Sequence, residues 1–311
     1  MSEEQQIERW LSRAETLRRL GQHDGAIDCL RNVLSADPEH AVAHASLAFT
    51  LLDARRLSGA VIEAQLALTH GGDDPYCHLA AGAVARAERE FDRAWAHCEL
   101  ALQARPDDVD AHVIGAQVRQ EQGRHAEARE LLQRALELEP ESTDALVMLA
   151  RVELEAGNLA EAARVATAAL TVEPGDVAAH VVAGLCDLRR GDLDSAEQHA
   201  RFALQSDAAD VGAIHLWTAL KARRSWTLGL WWRFSAWIGM RSERGSLALL
   251  VGTFVLARLA IIAALAFDLE ALAGMLSWGW LGFCAYTWSA PLLFRRMLER
   301  DLGQVVLGPD F

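Results

Sequence analysis

The residues of this chain with the widest capacity for chemistry are histidines that recur in a fixed register. His44, His78 and His112 are spaced 34 residues apart, and His180 follows two such spacings later. Imidazole is a frequent zinc ligand, and His40 and His44 have the four-residue spacing that puts two ligands on one helix face. Zinc holds its ligands about 2 Å away, whereas neighbouring packed helices lie about 8–10 Å apart. We therefore interpret the recurring histidines as packing residues and predict neither a metal site nor a cofactor.

The sequence also lacks the residue patterns that are typical of other kinds of catalysis. The chain has no glycine-rich phosphate loop, no H-E-x-x-H motif and no G-x-S-x-G motif. Lys221 is the single lysine, and the five cysteines include no C-x-x-C pair. Schiff-base catalysis, a zinc site and a disulfide framework are therefore disfavoured. We expect no enzymatic activity.

The elements that carry these histidines come from a 34-residue repeat. Leucine stands eight residues after each of six regularly spaced alanines, proline follows four of these leucines, and glycine precedes four of the alanines by five residues. Each unit contains two stretches of helical periodicity, with the small alanine where two helices approach closely and the proline ending the second helix. The alanines are Ala26, Ala60, Ala94, Ala128, Ala162 and Ala196.

The pattern in the stretch ARELLQRALELEP (128–140) resembles the tetratricopeptide repeat. The resemblance implies an all-α, right-handed superhelical solenoid over residues 1–224, in which 211–224 is a capping helix. Arg55 and Arg89 replace the turn glycine in two units, and two units lack the terminal proline. The six predicted units are 7–40, 41–74, 75–108, 109–142, 143–176 and 177–210.

The same resemblance implies that the first helix of each unit lines a concave groove that binds protein. Groove residues are expected at unit positions 2, 5, 9 and 12, where some family members carry a Lys, Asn and Arg set that grips a peptide carboxylate. That set is absent here, so an apolar helix or an extended segment is the expected ligand. For each groove residue, packing between repeats is the alternative. The predicted groove residues are Phe49, Leu52, Tyr76, Leu79, Arg86, Val113, Gln117, Val147, Arg151, Leu154, Leu185 and Leu188.

Charge is divided unevenly along the chain. Residues 1–210 carry 37 acidic side chains and 20 arginines, a net charge of −17, and residues 211–311 carry a net charge of +4, which together give −13. An acidic solenoid argues against nucleic-acid binding. A basic region beside apolar sequence suits an anionic membrane surface.

Two apolar stretches, 247–267 and 271–294, have the length of membrane spans. The first has 21 residues, or about 31 Å of helix. Its Arg258 costs about 2.5–3.5 kcal/mol on insertion, which the Leu, Ile, Val and Phe residues offset at about 0.3–0.6 kcal/mol each. We predict a transmembrane hairpin over 246–296 and a short tail over 297–311. Arginines flank the spans but are absent from the link, so both termini are expected in the cytoplasm, and the composition favours a bacterial inner membrane.

The segment 225–245 is rich in tryptophan and arginine and precedes the first apolar stretch. Trp and Arg favour the headgroup level, so we predict an interfacial helix; packing against the last repeat is the alternative. Arg258 either extends towards the headgroups, stacks on a tryptophan, or pairs with a carboxylate of another membrane protein. The predicted interfacial residues are Trp226, Trp231, Trp232, Arg233 and Trp237.

These features together predict a membrane-tethered interaction scaffold, whose groove recruits a cytoplasmic or membrane-associated protein to the lipid bilayer. One alternative is a subunit of a membrane complex or homo-oligomer in which the hairpin with Arg258 is the working part. A second alternative is an assembly factor for envelope proteins.

Overall fold

The computed structural model describes residues 3–224 and, in the C-terminal part, residues 258–259, 261–263, 266, 269–270 and 274–281. Thirteen α-helices occupy residues 3–224. The helices are α1 (Glu3–Arg19), α2 (His23–Ala36), α3 (Ala41–Asp53), α4 (Leu57–His70), α5 (Pro75–Ala87), α6 (Phe91–Ala104), α7 (Val109–Glu121), α8 (His125–Leu138), α9 (Thr143–Glu155), α10 (Leu159–Val172), α11 (Val177–Arg190), α12 (Leu193–Ser206) and α13 (Val211–Arg224).

Residues Met1–Ala179 form one compact unit and His180–Phe311 a second. In the first unit each even-numbered helix packs against the odd-numbered helix before it, and all but the last also pack against the next odd-numbered helix. The odd-numbered helices also contact one another in succession from α1 to α9. The odd-numbered helices therefore form one continuous layer, and the even-numbered helices cover its other side.

The close approach of the two helices in each pair depends on the repeated alanines. All six are fully buried, with 0% of their surface exposed. A side chain larger than a methyl group would separate the helix backbones at these points, because protein interiors are packed as densely as organic crystals. The alanine register of the sequence thus corresponds to the helix–helix contacts of the fold.

The turn inside each of the six helix pairs contains one residue with positive φ. Four of the six are glycines, with φ between 70° and 90°. The other two are Arg55 and Arg89, with φ of 58° and 64°. The left-handed region costs a residue with a Cβ about 1–2 kcal/mol, so these two turns are strained where the glycine turns are not. The glycines are Gly21, Gly123, Gly157 and Gly191.

Side chains at the junctions between units cap the odd-numbered helices. The Asp74, Asp108 and Asp176 carboxylates accept hydrogen bonds from backbone N–H groups in the first turns of α5, α7 and α11. At the start of α3 this role falls to His40, whose Nδ1 accepts from the Ala43 N–H at 3.2 Å. His40 is therefore a helix cap, and its four-residue spacing to His44 serves a different purpose from metal binding.

The recurring histidines lie between the two helices of a pair. Nε2 of His44 lies 3.0 Å from the carbonyl oxygen of Pro38, and Nε2 of His112 lies 2.9 Å from that of Pro106. These contacts join the start of one unit to the proline that ends the unit before it. Among the described residues, no group of three or more His, Cys, Asp or Glu side chains could hold a metal ion.

In two helix pairs, a histidine of one helix contacts a histidine of the other through their ring nitrogens. Nδ1 of His78 lies 3.1 Å from Nδ1 of His97, and Nδ1 of His180 lies 2.8 Å from Nδ1 of His199. One ring donates and the other accepts, so the pair tolerates a second proton poorly. Burial and the partner imidazole lower the pKa of His97 and of His199, and the neighbouring Asp187 opposes the effect at His199.

In the second unit α13 packs against α12, as a capping helix would. Gly184 on α11 lies so close to α13 that a Cβ there would come within 2.5 Å of Leu216 Cδ2. Trp217 is 2% exposed. The Arg223 guanidinium donates to the Leu188 carbonyl and so joins α13 to α11.

Most of the predicted C-terminal elements lie outside the described residues. This applies to the five predicted interfacial residues, the tail 297–311 and the larger part of 247–267 and 271–294. In the part of the chain that the structure describes, no helix is both long and apolar enough to cross a membrane. Arg258 is helical and exposed. The membrane hairpin stays a prediction.

Replacing Arg55 by glycine is expected to raise the free energy of unfolding by about 0.5–1 kcal/mol, because glycine adopts positive φ without a Cβ clash. Arg55→Ala retains the Cβ and is the matched control, with an expected change within about 0.5 kcal/mol. Thermal midpoints followed by circular dichroism measure the difference. Equal midpoints for the two variants would contradict the interpretation of a strained turn.

Lowering the pH from 7.5 to 5.5 is expected to destabilise the folded chain through His97 and His199. Their folded-state pKa lies below the unfolded value, so the unfolded chain binds more protons between the two values, and stability falls as pH falls through that window. The double variant His97→Leu, His199→Leu should show a smaller decrease in thermal midpoint. His215→Leu removes an exposed imidazole and should retain the wild-type pH dependence; identical pH dependence in all three proteins would rule out the histidine pairs as its source.

Candidate protein-binding groove

The layer of odd-numbered helices in the first unit carries a solvent-accessible surface, which we call the groove. It runs across α1, α3, α5, α7 and α9, in the order in which these helices contact one another. Each helix places the same repeat positions on this surface, because the units share one register. The groove is therefore a row of equivalent positions whose side chains differ from unit to unit.

An aromatic pair occupies the N-terminal half of the groove. The rings of Phe49 on α3 and Tyr76 on α5 have centroids 5.5 Å apart at an interplanar angle of 47°. The Arg18 guanidinium lies 5.8 Å from the Phe49 centroid, and Ser46 Oγ lies 3.4 Å from the Tyr76 hydroxyl. Both rings are half-buried and pack on the core cluster that includes Ala45. The aromatic pair is thus packed on the core of the unit and remains partly accessible to solvent in the groove.

The Tyr76 phenol stays protonated at neutral pH. Burial raises its pKa, the hydrogen bond with Ser46 and the charge of Arg18 oppose the rise, and Glu15 and Asp110 add to it. The hydroxyl has Ser46 Oγ as its neighbour at 3.4 Å. A protonated hydroxyl in this position can donate a hydrogen bond to a bound segment.

The charged groups beside the aromatic pair are matched in ion pairs. Arg18 contacts Glu15 at 3.1 Å and reaches Asp53 on the next odd-numbered helix at 3.0 Å. Burial alone would lower the pKa of Arg18, but these two carboxylates raise it. Arg86 and Glu121, at the same repeat positions two units later, are joined at 2.8 Å. Paired ions of this kind rigidify the surface and leave little net charge for a ligand.

Two further carboxylates in the groove have no ion pair among the described residues. Asp110 and Asp144 stand at the same position in successive units and are exposed. Burial by the surrounding protein raises the pKa of both; Asp108 and Asp144 add to the rise at Asp110, and Asp176 adds to it at Asp144. Arg18 and Arg19 oppose the rise at both residues.

The twelve residues predicted for the groove divide by exposure. Those on the accessible surface are Phe49, Leu52, Tyr76, Arg86, Gln117, Arg151 and Leu185. Those that are buried, with 2–7% of their surface exposed, are Leu79, Val113, Val147, Leu154 and Leu188. The buried side chains pack between helices and support the surface from beneath. Leu185 and Leu188 belong to α11, in the second compact unit.

The repeat register places Arg18, Asp110 and Asp144 at groove positions 12 and 2, but the twelve residues predicted to bind a partner do not include them. All three occupy repeat positions from which other groove residues were chosen, so the register contained the signal. Their importance depends on ion pairing across units, which no single repeat reveals.

The cysteines offer no alternative chemistry in the described region. Burial raises the pKa of Cys77 and Cys186 to about 11 and that of Cys98 to about 12. The reactive species of cysteine is the thiolate, which these values suppress at neutral pH. The three thiols are therefore small apolar packing groups.

Comparison with known families and structures supports the repeat assignment. Two sequence models described as tetratricopeptide repeat match the chain, one at residues 17–84 and 119–165 and the other at 147–211. No curated protein matches the chain.

Several solved structures are similar in fold. TTC0263, a thermophilic repeat protein of Thermus thermophilus, is 22% identical with a TM-score of 0.53, and the match covers 58% of this chain and 99% of that one. PilW, described as a type IV pilus biogenesis factor, is 17% identical with a TM-score of 0.52 and coverage of 67% and 96%. A tetratricopeptide repeat protein from Parabacteroides merdae is 15% identical with a TM-score of 0.52 and coverage of 77% and 94%.

At these identities the structural similarities concern the fold alone. The two sequence models together cover just over half of the chain, in the same 34-residue register that the helices follow. The chain belongs to the tetratricopeptide repeat proteins, which are all-α interaction scaffolds.

Proposed function

We propose that the chain is a scaffold whose groove binds a segment of a partner protein. Tetratricopeptide repeat proteins are interaction scaffolds, and this chain carries an accessible aromatic pair at Phe49 and Tyr76 in its groove. That pair is the observation on which the proposal depends. Aromatic side chains in desolvated, well-packed surroundings supply most of the binding energy in many interfaces.

The surroundings of the aromatic pair support a binding role over a purely structural one. Arg18, held by Glu15 and Asp53, fixes one side of the pair, and Ser46 orients the tyrosine hydroxyl. Because the two rings are already fixed, the scaffold loses less side-chain entropy when a ligand binds.

The proposal extends to the membrane through the C-terminal sequence. The apolar stretches 247–267 and 271–294, with the tryptophan- and arginine-rich segment before them, would hold the scaffold at a bilayer. Its support comes from sequence alone: span length, arginine distribution and aromatic enrichment.

The substitution Phe49→Glu is expected to reduce partner capture about tenfold, because it places a charge where an apolar contact is proposed. Ile62→Glu is the matched control, since Ile62 is 61% exposed and lies on α4 in the covering layer. Chemical crosslinking in native membranes, followed by affinity capture and quantitative mass spectrometry, measures the captured proteins. Circular dichroism verifies that both variants fold.

The opposite pattern would favour the alternative in which the C-terminal region is the working part. In that case Arg258→Leu would abolish complex formation, and Phe49→Glu would behave like the Ile62→Glu control. Partners that are captured by crosslinking alone, and lost without it, would indicate a transient assembly factor.

The full chain is expected to sediment with membranes and to resist extraction by alkaline carbonate, because two spans bury their apolar side chains in lipid. A chain that lacks residues 246–296 should remain in the supernatant. Immunoblotting of the two fractions measures the distribution. Release of the full chain by carbonate would contradict the membrane tether.

A further inference from the structure

The charges along the groove are arranged unequally on the two sides of the aromatic pair. On the α1 side, Arg18 pairs with Glu15 and Asp53 at 3.0–3.1 Å, and Arg19 pairs with Glu15 at 2.9 Å, so two cations balance the two carboxylates. On the other side, Asp110 and Asp144 form no ion pair among the described residues. Arg151 lies two turns beyond Asp144 on the same helix, about 10 Å away. Arg18 and Arg19, whose charges act on both carboxylates, are already paired with Glu15 and Asp53, so Asp110 and Asp144 are left without an ion pair of their own among the described residues.

The two carboxylates are accessible but surrounded by protein. A position in the first turn of a helix favours a negative charge and ordinarily lowers the pKa of an aspartate. The pKa of Asp110 and of Asp144 is nevertheless raised, chiefly by burial. The charged form of each is therefore incompletely solvated, and a cation placed beside it would restore the lost stabilisation.

The distance between the aromatic pair and the carboxylates sets the spacing of a ligand. Tyr76 and Asp110 occupy equivalent positions on neighbouring helices, which lie about 10 Å apart when packed. Asp144 is one further helix along. An extended chain advances about 3.3 Å per residue, so successive positions in the groove correspond to about three residues of ligand.

We propose, building on the function proposed above, that the groove selects an extended segment of a partner protein that has an aromatic or large aliphatic side chain and an arginine or lysine about three residues away. The apolar side chain packs on Phe49 and Tyr76. The cation lies beside Asp110, and a second cation a similar distance further along lies beside Asp144. The two carboxylates, which have no ion pair among the described residues, repel acidic segments, so the groove discriminates partners by charge.

The experiment uses fluorescein-labelled peptides with one phenylalanine and one arginine, separated by spacers of glycine and serine so that the offset varies from two to seven residues. Fluorescence anisotropy with the purified full-length chain in detergent micelles measures affinity. The tightest binding is expected at an offset of about three. Replacing the arginine by citrulline should weaken binding about tenfold, and glutamate should weaken it further.

The double variant Asp110→Asn, Asp144→Asn tests the host side with little change of shape. It should bind the arginine peptide about as weakly as wild type binds the citrulline peptide, with most of the salt dependence lost. The matched control is Asp28→Asn, Glu130→Gln, which makes the same change in net charge at exposed positions on α2 and α8. The control should bind all peptides as wild type does.

Three results would overturn the inference. The double variant could bind the arginine peptide as tightly as wild type does, or no peptide could bind up to millimolar concentration. The third result is tightest binding at an offset of seven, which an α-helical ligand would give. The proposed scaffold function fails separately, when Phe49→Glu leaves partner capture intact. If Phe49→Glu abolishes capture but the aspartate variant has no effect, the groove binds a partner without selecting its charge.

Discussion

The rest of the structure depends on the close contact between the two helices of each unit at a fully buried alanine. Six alanines with no exposed surface hold the helix pairs at one separation. Since every pair then has the same thickness, the successive helix pairs of the first compact unit stack in one register, and equivalent positions of α1, α3, α5, α7 and α9 fall in line. The groove exists because of this regularity; its chemistry comes from the positions that the packing leaves free to vary.

The difference between repeat positions used for packing and positions free to vary explains where the reactive and the charged side chains lie. The recurring histidines and the cysteines of the described region, whose side chains are among the most reactive, are used at packing positions. His44 and His112 contact the prolines at the unit junctions, and Cys98 is an apolar filler with a suppressed thiolate. The groove instead carries arginines, carboxylates and two aromatic rings, whose interactions are reversible contacts. A binding role is consistent with this distribution.

Much of the fold follows from the repeat in the sequence, because a 34-residue period fixes helix number, order and packing faces together. The odd-numbered helices from α3 to α13 begin at the first position of a predicted unit or at the predicted cap. The turns also lie where the sequence places them, including those at Arg55 and Arg89, since a helix pair of fixed geometry imposes positive φ whatever residue is present.

The candidate site could be predicted less completely from the sequence than the fold. Repeat position indicates which helix face a residue occupies, but neighbouring units decide whether its side chain is covered, and Leu79 and Val147 are covered. The cap at His40 replaces an aspartate found at other junctions, a substitution that single-residue preferences do not predict. The pairing of Arg18 with Asp53 joins residues 35 positions apart, and only the assembled helices show that Asp110 and Asp144 have no ion pair among the described residues.

The two strained turns have a consequence for the helices that carry the aromatic pair. Arg55 directly follows α3, which carries Phe49, and Arg89 directly follows α5, which carries Tyr76. In a linear array the stability of each unit is the sum of its own folding energy and its contacts with neighbours. Units with strained turns have less folding energy of their own, so their stability depends more on contacts with neighbouring units. The helices that carry the aromatic pair are therefore held in place chiefly by their packing on each other and on the adjacent helices.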